Sequence, residues 1–367
     1  MMQGLGERVG RVASRMRCAL ATFVMPGPRM IDEIECVASV LLAIALAHLT
    51  GAKSVAWAAF TGFVLMRGHV SQTMLRGLMR IVGTAAGAGL ALLVMPYVLG
   101  SLPLVSLAVA IVGAIGLYGM LTARRAYAWL LFGLTFVMIV LDKLEHPVLD
   151  TIDFAQTRLL EVCAGTVACV TVSLLSTLTA RQRWPGSIAT AAERIGWHPH
   201  AARHVAQAGV ALALLPVLHA LVGVPELEQA GVTILAVMIV PVAGLGQSGL
   251  APVSRRLLHR TIGCLGGGAL AATILFVAHG SAPVLIAGTC FGVLIGRHLE
   301  NGRTSPPYVG LQFTLAILVT LVPDDYANAA IRPALDRLAS ILIGMALIVP
   351  VLMAWHVRLP GRVGRVP

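Results

Sequence analysis

The chain alternates between long apolar runs and short polar breaks over nearly its whole length. Apolar stretches occupy roughly 34–50, 54–66, 78–96, 102–121, 126–141, 159–178, 203–223, 229–245, 258–278, 282–296, 306–322 and 336–355. A helix that crosses a bilayer needs about 20 residues. The runs 54–66, 126–141, 282–296 and 306–322 fall short of that, so each is predicted to be little tilted, extended by its neighbours or broken. Pro241 interrupts the run 229–245. The pattern predicts an all-α fold: a polytopic membrane protein of about 12 transmembrane helices.

The pattern is also written twice. "RIVGTAAGAGLALLV" begins at Arg80 and "RTIGCLGGGALAATI" at Arg260, 180 positions later. "LRGLMRIVGT" from Leu75 aligns with "RRLLHRTIGC" from Arg255. "YAWLLFGLTFVMIVLD" from Tyr127 aligns with "YVGLQFTLAILVTLVPD" from Tyr308. "RLLEVCAGTVACVTVSLL" from Arg158 aligns with "RLASILIGMALIVPVLM" from Arg337. Blocks that keep one order and nearly one offset predict two six-helix halves. An even number of helices gives the halves the same orientation, about an axis along the membrane normal. The expected organisation is a cytoplasmic N-terminal segment, 1–33; a first six-helix repeat, 34–178; a cytoplasmic linker, 179–202; a second repeat, 203–355; and a cytoplasmic tail, 356–367.

Composition and charge agree with a membrane class. Hydrophobic residues make up 57% of the chain and charged residues 12%, and the mean hydropathy is +0.86. Soluble domains carry about 25% charged residues, and no soluble domain of this size could hide so much apolar surface. With both termini placed inside, 22 of the 27 Lys and Arg fall on the inner face. Lys53, Lys143, Arg158, Arg332 and Arg337 fall outside. The inner face then sums to +16 and the outer to −5, as the positive-inside rule requires. The net charge of +11 thus reflects orientation, and no nucleic-acid partner is expected. The first 30 residues lack the pattern of a signal peptide. Cys18, Cys36, Cys163, Cys169, Cys264 and Cys290 form no CxxC pair and are read as small core residues.

With this frame in place, "WAAFTGFVLMRGHVSQTMLRGLMRIVGTAAGAGLALL" (Trp57 to Leu93) resembles the fusaric acid resistance (FUSC) family of aromatic acid exporters. That family pairs a Trp-Ala-x-x-Thr helix with an Arg-x-x-Gly-Thr-x-x-Gly helix. The matching positions are Trp57, Ala58 and Thr61, then Arg80, Gly83, Thr84 and Gly87. "RLLEVCAGT" from Arg158 is similar to the family's sixth helix. The likeness covers the first half well; the second half matches through its arginine–glycine helix. It implies an inner-membrane efflux component of Gram-negative bacteria, often working with a periplasmic adaptor, whose substrates are aromatic carboxylic acids or similar anions. Family exporters often carry a large cytoplasmic domain between the halves or after the first, and the join here is too short for one.

Charges within apolar segments cost about 2.5–3.5 kcal/mol each at mid-helix, so they are candidates for function. Arg76, Arg80, Arg256 and Arg260 are read either as residues snorkelling to headgroups or as a cationic vestibule that binds the substrate anion. Gly83, Gly87, Gly263 and Gly267 form small-xxx-small pairs that suit close helix packing. Arg158 and Glu161 share one helix face, with Asp153 as a second acid able to neutralise Arg158. They are read as an interfacial ion pair or as a substrate and proton-coupling site. The counterpart of Glu161 in the second half is Ser340, so a single, asymmetric acid is expected. Thr61, Thr135, Gln312 and Thr314 are polar groups inside apolar helices, read as interhelical bonds or substrate contacts. Gln312 and Thr314 are expected opposite Phe132 and Leu134.

The loop 141–153, with Asp142, Glu145, His146, Asp150 and Asp153, is read as a solvated acidic loop or an adaptor contact. His69 and His259 lie near the inner arginines as headgroup contacts or titrating groups. His198, His200 and His204 have a spacing that suits a metal, but no metal or cofactor is expected. No GxSxG, HExxH or GxxxxGK[ST] occurs, so the chain is not expected to be an enzyme. Three functions compete: proton-coupled export of organic anions, an anion channel, and a membrane scaffold in an envelope complex. A homo-oligomer is left open at this stage.

Overall fold

The computed structural model describes residues 27–187, 196–245, 249–302, 306–326 and 330–358. Among them the chain is all-helical, with no strand. Twelve helices carry the fold: α1 (Pro28–Thr50), α2 (Val55–Leu65), α3 (Val70–Val98), α4 (Leu102–Thr122), α5 (Ala126–Glu145), α6 (Thr151–Leu178), α7 (Pro199–Val222), α8 (Leu227–Val237), α9 (Leu250–Ala278), α10 (Ala282–Glu300), α11 (Pro307–Leu321) and α12 (Arg332–Arg358). A one-turn helix, Ala180–Arg183, follows α6.

Local chemistry sets the ends. Proline opens α1, α4, α7, α10 and α11, where its missing N–H costs nothing. Gly51 closes α1 and Gly223 closes α7 in the left-handed conformation, with φ 71° and 64°, which glycine adopts without steric penalty. Pro96, Pro216 and Pro350 lie inside α3, α7 and α12, as membrane helices tolerate.

Eight of these helices are long and apolar enough to cross a membrane: α3, α4, α5, α6, α7, α9, α10 and the stretch Leu338–Val357 of α12. The helices α2, α8 and α11 are apolar but shorter. Helix α1 has 23 residues and holds Asp32, Glu33 and Glu35 in its first two turns. It begins at Pro28, inside the segment expected to precede the membrane. Helix α3 begins at Val70, eight residues before its apolar run, because the polar stretch "VSQTMLR" keeps helical spacing and His69 caps it through Ser71 N–H. Helix α8 stops at Val237, ahead of Pro241, so the run 229–245 is a short helix and an irregular segment.

The two halves pack in the same order. In the first, α1 lies on α2 and α6, α3 on α5 and α6, and α4 on α5; in the second, α7 lies on α8 and α12, α9 on α11 and α12, and α10 on α11. The seams between halves also come in pairs. Helix α4 packs on α7 and α10 on α1; α5 packs on α8 and α11 on α2. One apolar core runs through α3, α4, α5, α7, α8, α9 and α12, and a second joins α1, α2 and α6 to Val293, Leu318 and Val322.

Glycine sets the closest approaches. A Cβ on Gly83 would lie 2.4 Å from Ala128 O, and one on Gly87 would lie 2.4 Å from Phe132 O. A Cβ on Gly263 would lie 2.6 Å from Val309 O, and one on Gly267 2.3 Å from Phe313 O. Backbone thus meets backbone along α3–α5 and α9–α11. These contacts fix the register: Gly83 sits on Leu131 as Gly263 sits on Gln312. Gln312 therefore faces the place of Leu131, and Thr314 that of Gly133, each one residue from the expected partner, because the offset between α5 and α11 is 181 and not 180.

Candidate functional site

Arg76 and Arg80 share one face of α3, and Arg256 and Arg260 one face of α9. In the first half, Arg80 is 6% exposed, and its Nη1 donates to Tyr127 Oη on α5 at 2.8 Å. Its guanidinium lies 5.8 Å from the centroid of the Phe60 ring on α2, and Arg76 lies 5.0 Å over Tyr127. In the second half, Arg260 is 1% exposed. Its Nη1 donates to Gln312 Oε1 at 2.8 Å and Tyr308 Oη at 3.3 Å, and its Nη2 to Thr233 Oγ1 at 2.9 Å. Arg256 lies 3.9 Å over the Tyr308 ring, and its Nε donates to Ala236 O at 3.0 Å near the end of α8. Among the described residues none of the four has a carboxylate within ion-pair distance. Thr61 is fully buried on α2, and its hydroxyl donates to Trp57 O at 2.8 Å.

At the other end of α6, Arg158 Nη1 donates to Glu161 Oε2 at 3.1 Å, with the guanidinium between Trp57 at 4.6 Å and Phe154 at 5.0 Å. Glu161 is 1% exposed, and its Oε1 has no partner among the described residues. Asp153 does not reach this pair; it binds Lys53 in an exposed ion pair. Ser340, the counterpart of Glu161, donates to Pro225 O. The second half nonetheless holds a buried acid on a different helix. Glu228, in the first turn of α8, accepts from Gln229 Nε2 at 2.7 Å. A buried acid is therefore not confined to the first half.

Two of the short helices, α2 and α8, are capped from the opposite half. Asp324 Oδ1 accepts from Val55 N at the start of α2 at 2.9 Å. Glu145 accepts from Glu226 N and Leu227 N at the start of α8, each at 2.7 Å. Carboxylates there answer the unpaired N–H groups and positive end of a helix.

A buried ionic cluster on the α1–α10 seam went unseen in the sequence pattern. Arg297 binds both oxygens of Asp32, at 2.6 and 3.0 Å, and Glu300 at 2.9 Å; it also donates to Met66 O at 3.2 Å, at the end of α2. Asn301 donates to Asp32 at 2.7 Å. Arg181 holds Glu35 at 2.8 and 2.5 Å. The only sequence signal was three acids close together on a face otherwise rich in arginine. On the matched seam, α4–α7, Leu117 stands where α10 has Arg297, and, counted back from the glycines that close α1 and α7, Gly51 and Gly223, His204 stands where α1 has Asp32. His204 Nε2 lies 2.9 Å from Met238 O, at the end of α8. The rings of His198 and His200 are 5.6 Å apart. Among the described residues no three His, Cys, Asp or Glu are placed to hold a metal.

Apolar helices in two matched halves, with cations buried in them, define a membrane protein of the transport or efflux type. A family model described as "Fusaric acid resistance protein-like" matches residues 42–172 and 210–351. The chain therefore belongs to that family, one of membrane transporters. No curated protein matches it, and no solved structure does.

Proposed function

We propose that the protein exports aromatic or other organic acid anions across a bacterial inner membrane, coupled to protons and in concert with a periplasmic adaptor. In this reading all twelve helices cross or enter the membrane, both termini are cytoplasmic, and the two halves are parallel repeats that rock against each other. The matched packing of the halves and the two separate family matches support the repeat. Sidedness is supported by the ion pairs between helices. Asp32, Glu35, Arg181 and Arg297 are all assigned to the inner face, and Lys53 and Asp153 to the outer.

The observation that carries the reading is positive charge buried in apolar helices with no carboxylate in ion-pair contact among the described residues, on α3 and again on α9. Such charge is costly unless a partner neutralises it, and a ligand anion is a partner that can come and go. Glu161, buried beside Arg158, is the group assigned to carry the proton.

Flux in proteoliposomes tests this. Labelled hydroxybenzoate is followed under an imposed pH gradient for wild type and Glu161→Gln. Gradient-driven flux in wild type, lost in the variant, is the expected result. Flux that ignores the gradient would identify an anion channel instead. No flux with any organic anion in a panel would overturn transport of this class.

A further inference from the structure

We infer that the anion is held by the first half alone, on a ladder of free donors along α3, and that the matched site on α9 is closed by the protein's own acceptors. This rests on the anion-transport reading above and narrows it to one station.

The two sites share a plan and differ in their acceptors. On α3, three buried nitrogen or oxygen atoms have no hydrogen-bond partner among the described residues: Arg76 Nη1, Arg80 Nε and Thr84 Oγ1. They belong to residues spaced i, i+4 and i+8, so they share a helix face over a rise of about 12 Å. Among the described residues the two arginines have one protein acceptor between them, Tyr127 Oη. On α9, Arg256 and Arg260 have four: Ala236 O, Tyr308 Oη, Gln312 Oε1 and Thr233 Oγ1. There, among the described residues, Arg260 Nε alone is left over.

Substitutions at matched positions explain the difference. Gln312, which binds Arg260, stands where the first half has Leu131. Cys264, 3.8 Å from Gln312 Oε1, stands where the first half has Thr84. Thr233, which accepts from Arg260, matches Thr61, whose bond runs to Trp57 O. Phe60, beside Arg80, has Val232 as its match. Buried donors left unpaired are rare and need an acceptor. On α9 the chain supplies it. On α3 an oxyanion does, and a carboxylate can take two such donors at once, with Phe60 as the apolar wall for its body.

The key variant is Leu131→Gln, which copies the closed site onto the first half without removing a charge. Benzoate binding to the purified full chain is measured by titration calorimetry, and melting temperature is read alongside. Leu131→Gln and Arg80→Gln are each expected to weaken benzoate at least tenfold. Leu131→Gln is expected to do so without lowering the melting temperature. Arg260→Gln is expected to lower the melting temperature and to shift benzoate affinity less than threefold. Should Arg260→Gln fail to fold, Gln312→Leu, which removes one acceptor, makes the same comparison.

The inference is overturned, with the transport reading intact, if a second-half variant weakens benzoate as much as Arg80→Gln. It is overturned equally if Leu131→Gln leaves binding untouched. Chloride displacing benzoate at equal concentration would overturn the carboxylate assignment. A wild-type protein that neither binds nor moves any organic anion would remove the transport reading and this inference together.

Discussion

Gly87 and Gly89 lie on the same helix, two residues apart, and should answer the same substitution in opposite ways. A Cβ on Gly87 would meet Phe132 O at 2.4 Å and Thr135 Cβ at 3.1 Å, whereas one on Gly89 would meet nothing within 4 Å. Ordinary Cβ contacts begin near 3.4 Å, so Gly87→Ala requires α3 and α5 to part by about 1 Å. Neither side can yield by a rotamer change, because the obstacle is a backbone carbonyl. Overpacking of this kind costs about 1–3 kcal/mol. Both substitutions also gain helix propensity, about 1 kcal/mol from Gly to Ala. That gain cancels in the comparison. Gly89→Ala is expected to be neutral or stabilising, and Gly87→Ala to lie about 1–3 kcal/mol below it. Thermal unfolding of the two variants in detergent, followed by tryptophan fluorescence, measures the difference. Equal melting temperatures would refute the close-packed α3–α5 seam.

Further outcomes follow from the caps and the ionic cluster. Glu145→Ala strips both acceptors from the first N–H groups of α8 and is expected to cost about 0.5–2 kcal/mol; Glu145→Gln, which keeps an acceptor, should cost less in the same melt. Arg297→Ala leaves Asp32 buried without its two-pronged partner and is expected to cost about 3–5 kcal/mol. Adding Asp32→Asn to Arg297→Ala should restore part of that loss, and strictly additive melting shifts would count against the pairing. Asp324→Ala, which uncaps α2, is expected to lower stability by about 0.5–2 kcal/mol, whereas Asp324→Asn, which keeps an acceptor for Val55 N–H, should cost less in the same assay.

Much of this architecture was legible in the order of apolar and polar residues. The places of all twelve helices follow from it, and so do the doubled arginine–glycine helices, because periodicity and offset are local properties of a string. The start of α3 was missed by eight residues because polar residues with helical spacing continue the helix beyond its apolar run. The register of Gln312 was missed by one because an offset of 180 was carried into a block whose own alignment, Tyr127 with Tyr308, runs at 181, and the glycine contacts agree with 181. Asp32 and Arg297 are 265 positions apart, and no periodicity reports a pairing at that distance. Asp153 was read toward Arg158 from sequence proximity, while the fold brings Lys53, 100 positions away, to it. The inner arginines were found as a set, but which of them keep free donors depends on Leu131 and Gln312, and so on packing.

The chemistry of the α1–α10 seam bears on which halves can pair. A pair of identical six-helix subunits would meet through two identical seams. Here one seam sets Asp32 against Arg297, and the other carries His204 and Leu117 at the corresponding positions, with His204 bonded to Met238 O. Two first halves brought together would face Asp32 with Leu117, a buried carboxylate against a leucine, at both contacts. Two second halves would face Arg297 with His204. Only unlike halves satisfy the cluster. The two seams thus differ in their chemistry, and the difference matches each half to the other: neither would meet the same partner in a copy of itself.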